Sequence, residues 1–120
     1  DMRRAVSLYE RLGSRSGLVA ENALYELGAI YRDDLREPRR ALATWERYRK
    51  RFPAGVLRAE ADVSVVDTLA SLGERDRALV EARAFLVRHP SSERRAEIAR
   101  VAGDLERTRG DCREAGLFYG

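Results

Sequence analysis

The chain has 120 residues, of which 44% are apolar and 36% charged, with a formal net charge of +3. That supplies one ordinary domain or three to four helical repeats, and its 23 basic and 20 acidic residues are too interleaved to mark a polyanion binder. No stretch approaches the ~18 apolar residues of a membrane-spanning helix. The lone Cys112 excludes an internal disulfide and argues against a metal cage.

Apolar spacing at steps of three and four predicts seven helices and no sheet. The first, 2–13, is broken by Gly13, Ser14, Ser16 and Gly17. The second, 18–34, carries Ala20, Ala23, Leu24, Leu27 and Tyr31 along one face. Pro38 opens the third, 38–51, in the first turn, where its missing N–H costs nothing, and Pro53 follows its end. Ala41, Leu42, Trp45 and Tyr48 form its apolar side. The fourth, 55–72, holds Val65, Val66, Leu69 and Leu72, and Gly73 marks its reversal. The fifth, 75–88, holds Ala78, Leu79, Ala82, Phe85 and Leu86 and ends at His89-Pro90. Ser91 and Ser92 offer caps to the sixth, 92–108, while Gly110 and Asp111 are expected to separate it from the seventh, 111–119. Short loops make neighbouring helices antiparallel.

A small pattern recurs through these helices. An alanine leads a second residue four positions on in Ala5/Tyr9, Ala41/Trp45, Ala78/Ala82 and Ala115/Tyr119, with the leading alanines 36, 37 and 37 residues apart. A period of that size means stacked helical hairpins. The clearest copy reads Leu24-x-x-Leu27-Gly28-x-x-Tyr31, then Ala41-x-x-x-Trp45, then Pro53. Gly28 inside a helix costs about 1 kcal/mol relative to alanine, a cost that makes sense if the partner helix must approach closely. In the next copy Val66 takes the glycine position, which predicts a slightly wider hairpin, and the last copy has Ala102-Gly103.

These residues resemble the tetratricopeptide repeat, and the resemblance covers the whole chain. It implies an all-α, right-handed α-solenoid of antiparallel hairpins: a half repeat over 1–17, full repeats over 18–54 and 55–91, and a truncated repeat over 92–120. Because the chain opens and closes within repeats, it reads as a piece of a longer protein. The helix ends at Arg47–Gly55 and Ala84–Ser92 are also similar to a bacterial envelope subgroup, that of outer-membrane assembly lipoproteins and Tol–Pal-associated proteins. A periplasmic or cytoplasmic location fits either way.

No catalytic set can be assembled. His89 has no ligand or base near it in sequence and suits a helix C-terminus. Cys112 lies 23 residues from the only histidine and reads as a packing residue. The pairs Asp33/Asp34 and Glu93/Glu97 lie among arginines and read as a salt-bridged face. Trp45, Tyr31 and Tyr48 read as core. The run Arg47, Arg49, Lys50, Arg51 ends a helix, where cations meet the dipole; as a phosphate patch it shows no evident exposed aromatics beside it for stacking. An enzyme, a cofactor and a metal are therefore not expected.

What the resemblance implies instead is a concave groove lined by the first helix of each hairpin. Carried over position by position, its lining is Asn22, Tyr25, Ala29 and Arg32, then Glu60, Val63, Asp67 and Ala70, then Glu97, Arg100, Asp104 and Arg107. Such a groove suits an extended peptide or a partner helix. Tyr25 and Asp67 stand where a carboxylate clamp needs lysine and asparagine, so a chaperone-tail clamp is not implied. Two alternatives are an oligomerising array, joined through apolar residues at the cut ends (Val6, Leu8, Leu117, Phe118), and nucleic-acid binding through the arginine-rich face.

Overall fold

A computed structural model describes the backbone of residues 1–119 and the side chains of residues 1–110. It is all-helical over the described residues, with six α-helices: α1 (Met2–Gly13), α2 (Gly17–Ala29), α3 (Pro38–Arg51), α4 (Arg58–Ser71), α5 (Arg75–Arg88) and α6 (Arg95–Tyr119). A π-helical segment, Ile30–Asp34, extends α2. Contacts group the chain into two compact units, Asp1–Ala61 and Asp62–Gly120.

Six α-helices replace the seven expected. Gly110 does not reverse the chain, and α6 runs through it as one helix of 25 residues. A glycine weakens a helix by about 1 kcal/mol and does not forbid one. The expected caps and packing of Asp111, Cys112, Ala115, Leu117, Phe118 and Tyr119 lie outside the described side chains. The remaining helices fall close to their expected limits, although α4 and α6 each start three residues late because a turn precedes them.

In the first unit α1 packs on α2, and α2 packs on α3. The core here is Ala20, Ala23, Leu24, Leu27, Ala41, Leu42, Trp45, Tyr48 and Ala61. Gly28 is the point of closest approach: a Cβ added there would lie 2.7 Å from Trp45 Cδ1, well inside contact distance. The indole Nε1 donates to the Tyr25 carbonyl at 3.2 Å, and the Arg32 guanidinium sits 5.2 Å from the ring centroid. Trp45 and Tyr48 are fully buried, whereas Tyr31, expected in the core, is only half-buried beneath Arg40.

In the second unit α5 packs on α6. Val63, Val65, Val66, Leu69, Ala78, Leu79, Ala82, Phe85, Ile98 and Ala102 form its core. Ala82 stands 37 residues after Trp45.

The 37-residue repeat is written in the backbone as well as in the sequence. Helices α3 and α5 are both 14 residues long and start 37 apart. Their C-caps, Phe52 (φ −130°, ψ 64°) and His89 (φ −123°, ψ 61°), share one conformation. The bonds Phe52 N→Tyr48 O and His89 N→Phe85 O are both 2.8 Å. The pairs Glu37–Arg40 and Glu74–Arg77 repeat at the N-termini. So do the ring contacts Tyr48–Phe52 and Phe85–His89 at the C-termini. Even the left-handed residue before each helix recurs, as Arg36 (φ 53°) and Gly73 (φ 77°). Only glycine takes that conformation without strain; an arginine there costs roughly 1–2 kcal/mol.

Replacing Gly28 with alanine tests the close approach. Overpacking costs about 1–3 kcal/mol, so Gly28→Ala lowers the midpoint of thermal or urea unfolding. In a Trp45→Ala background the same change is neutral or stabilising by up to about 1 kcal/mol, since only the helical cost of glycine remains. Equal destabilisation in both backgrounds contradicts the assignment.

Candidate functional site

The surface positions expected on first-of-pair helices divide between the two units. On α2 and its π extension, Asn22 is exposed, while Tyr25, Ala29 and Arg32 are half-buried. Arg32 is held in place twice, by a 2.8 Å bond to Asp33 and by the Trp45 ring. The Arg32 guanidinium bonded to Asp33 also lowers that carboxyl's pKa below the usual carboxylate range. In the second unit, α6 presents Glu97, Arg100, Asp104 and Arg107 at the same spacing as the α2 strip. Arg107 donates to Asp104 at 2.5 Å and Arg94 to Glu97 at 2.6 Å. The hydrogen bond from Arg94 depresses the Glu97 pKa.

The α4 strip departs from expectation. Glu60 and Ala70 are half-buried and Asp67 is exposed, but Val63 is only 2% exposed and lines no surface. Six consecutive residues, 61–66, are buried. Where a stretch of helix is covered all round, as over 61–66, it presents no wet face there for a fourth-residue rule to find. The unbroken Ala-Asp-Val-Ser-Val-Val run was the available signal.

The basic run on α3 is engaged within the chain. Arg47 pairs with Glu10 of α1 at 3.2 Å, and Arg49 pairs with Glu46. Arg51 donates to the carbonyls of Gly13 and Arg15, closing the α1–α2 corner. Exposed pairs of this kind are worth about 0–1 kcal/mol each, yet they occupy the groups that a phosphate backbone would need.

Two buried carboxylates escaped the sequence reading. In the first unit Glu21 is 5% exposed, and its Oε1 accepts from Tyr48 Oη at 2.6 Å and from Leu57 N–H at 3.2 Å. Leu57 N–H also reaches Tyr48 Oη at 3.0 Å. Gly55 leaves the space, since a Cβ there would come within 2.7 Å of Tyr48 Oη. In the second unit Asp62, 1% exposed, accepts from His89 Nε2 at 2.8 Å and from Arg88 at 3.4 Å. Each clasp joins partners 27 residues apart and fastens the C-terminal end of α3 or α5. The second is the first displaced by one helical turn. His89 thus caps its helix, as expected, and does so with a carboxylate partner that sequence distance hid.

Among the described residues no group of His, Cys, Asp and Glu side chains is arranged to hold a metal ion. No described helix is long and apolar enough to cross a membrane. Compared with models of known protein families, with characterised proteins and with solved structures, the chain matches none.

Two measurements follow. Burial pushes the Tyr48 phenol well above its usual value, and the Glu21 carboxylate adds to the shift. An acid whose folded pKa exceeds its unfolded one stabilises below the unfolded value, about 10 for tyrosine, and loses that contribution as pH climbs toward the folded value. Unfolding midpoints therefore drop steeply above pH ~10, and Tyr48→Phe flattens that drop. An identical alkaline profile in both chains refutes the clasp. Separately, the Thr68 hydroxyl is buried with no hydrogen-bond partner. Thr68→Val keeps the shape and raises stability by about 1 kcal/mol; a loss of stability on urea titration shows that the hydroxyl is satisfied.

Proposed function

We propose that this chain is a protein–protein interaction module, an adaptor of tetratricopeptide type that holds a peptide or partner helix on the polar strips of its first-of-pair helices. Supporting this reading is the repeat itself, in which side chains, caps and ion pairs recur at 37 residues. Regular arrays of hairpins act through extended surfaces. The observation that carries it furthest is the α6 strip. Arg100 is exposed there beside the Asp104–Arg107 and Arg94–Glu97 pairs, giving ordered donors and acceptors of both signs along one helix. The α2 strip offers Tyr25 as an apolar contact between Asn22 and Arg32. Glu60 and Asp67 of α4 complete the polar set, while Val63 is withdrawn from it.

A second reading, self-association, rests on exposed large apolar side chains: Leu18 at 62%, Val80 at 66% and Val87 at 83%. Light scattering over a concentration series separates the two, since a strict monomer at high concentration removes self-association. Nucleic-acid binding is weakened as a reading by the internal partners of Arg47, Arg49 and Arg51.

For the adaptor reading, wild-type chain and a Tyr25→Ala/Arg100→Ala double variant are used as affinity baits. Arg100→Ala leaves stability nearly unchanged, as surface changes do, whereas loss of the half-buried Tyr25 ring costs more, so circular dichroism first checks that the double variant is folded at the assay temperature. It loses the proteins that wild type retains. If both baits retain the same set, the strips are not the binding surface.

A further inference from the structure

We propose that the outward face of α5 is a two-fold interface with a second copy of this chain. The proposal rests on the self-association reading and gives it a surface. Val80 and Val87 lie seven residues apart, so they share one stripe of α5, on the side away from the buried Ala78, Ala82 and Phe85. They are 66% and 83% exposed.

The face is open in every copy of the repeat, so its exposure does not depend on a missing neighbour. Counted from the leading alanines Ala5, Ala41 and Ala78, the same two places are Ser7 and Ser14, then Ala43 and Lys50, then Val80 and Val87. All six are exposed, including the pair on α3, which has helices before and after it in the chain. Two copies fill these places with small or hydrophilic residues, as a solvent face requires. Of the three, only α5 puts valine at both.

Shape points to the occupant. Asp76, Arg77, Val80 and Glu81 surround a shallow hollow. Four neighbouring residues on a helix surface form the kind of hole that takes one side chain of a facing helix. Val87, the most exposed of the large apolar side chains described, is a knob of matching size. At a rise of ~1.5 Å per residue, hole and knob lie about 13 Å apart on one helix. A two-fold axis crossing α5 near Arg83 therefore seats each Val87 in the partner's hole, beside the partner's Val80, and closes the contact in both directions at once.

Charge permits the approach. Arg83, at the axis, is drawn to Glu106 of α6 at 2.5 Å, so two copies bring ion pairs together and not bare cations. Arg77 pairs with Glu74, and Asp76 with Arg109. Charges matched within the chain exert little pull on a polyanion or an oppositely charged segment. The face also lacks the broad apolar stripe and basic excess of a membrane-surface helix. What it offers is self-complementary shape. The 14 residues of α5 span about 21 Å, which puts the contact at the small end of specific interfaces and makes the dimer weak.

Sedimentation velocity on the full chain from about 1 to 500 µM, the range of a weak dimer, tests this. We expect a reversible monomer–dimer equilibrium. Val87→Lys, which removes the knob, weakens it at least about tenfold. Val80→Ala/Val87→Lys, which gives α5 the pair that α3 carries, weakens it further. Both positions face solvent in the monomer, so the thermal melts of these variants at low concentration match wild type. Leu18→Ser and Arg100→Ala dimerise as wild type does. A dimer that survives Val80→Ala/Val87→Lys overturns this interface while leaving self-association standing. A wild-type chain that stays monomeric throughout overturns both, and growth past two copies overturns the two-fold.

Discussion

An indole lying directly on a glycine governs the first unit. With no side chain at position 28, the faces of α2 and α3 meet at backbone range, and the largest side chain in the chain is wholly enclosed there. Local consequences spread from that contact. The Trp45 N–H draws on the Tyr25 carbonyl, an acceptor in the α2 ladder, and within a few residues the ladder widens into π pairing at Ile30. The widened turn carries Arg32 over the indole and leaves Tyr31 part-way out of the core. Between α2 and α3 the connection then closes through Arg36 in a left-handed conformation. Where the second unit has Ala82 in place of the tryptophan, α4 ends without a π segment and the left-handed residue is Gly73.

What was legible in the sequence is what local chemistry decides. Pro38 in a first turn, glycine at position 73 and the paired alanines punctuate the chain by rules that act over a few residues, and the limits of α1, α3 and α5 follow from them. A close approach at Gly28 was also readable, because a glycine in an apolar helical stripe needs a reason, but that Trp45 of the same hairpin would be the side chain meeting it was not. What was hidden depends on tertiary surroundings. Gly110 carries the same signal as Gly73, but no turn forms there. Val63 obeys the spacing of a wet face in the stretch of α4 that has none. The π segment has no composition signature.

The buried carboxylates teach a related lesson. Glu21 and Asp62 are ordinary acids in the sequence, each part of a mixed-charge helix. Burying an isolated carboxylate is costly, so each is tolerated only because donors converge on it. In one unit those donors are a phenol and a loop amide, in the other an imidazole and a guanidinium. The chemistry differs while the task is the same: to fasten the C-terminal end of a 14-residue helix to the one before it. Because the second clasp is offset by one turn on both helices, aligning the copies residue by residue places Arg58 opposite Glu21 and Phe85 opposite Tyr48. The equivalence is visible only in space.

The same distinction bears on what the surface can do. A chain with 22 arginines and a single lysine invites a reading as a polyanion binder. Yet arginine's planar fork also suits it to carbonyl and carboxylate partners inside a fold. Arg51 spans two carbonyls at the α1–α2 corner, Arg58 reaches the Pro53 carbonyl, and Arg83 crosses from α5 to Glu106 on α6. Composition therefore overstates the charge available to a partner. What counts for recognition is the charge left after internal pairing, and by that measure the basic run that looked most conspicuous, at the end of α3, is largely spent within the fold.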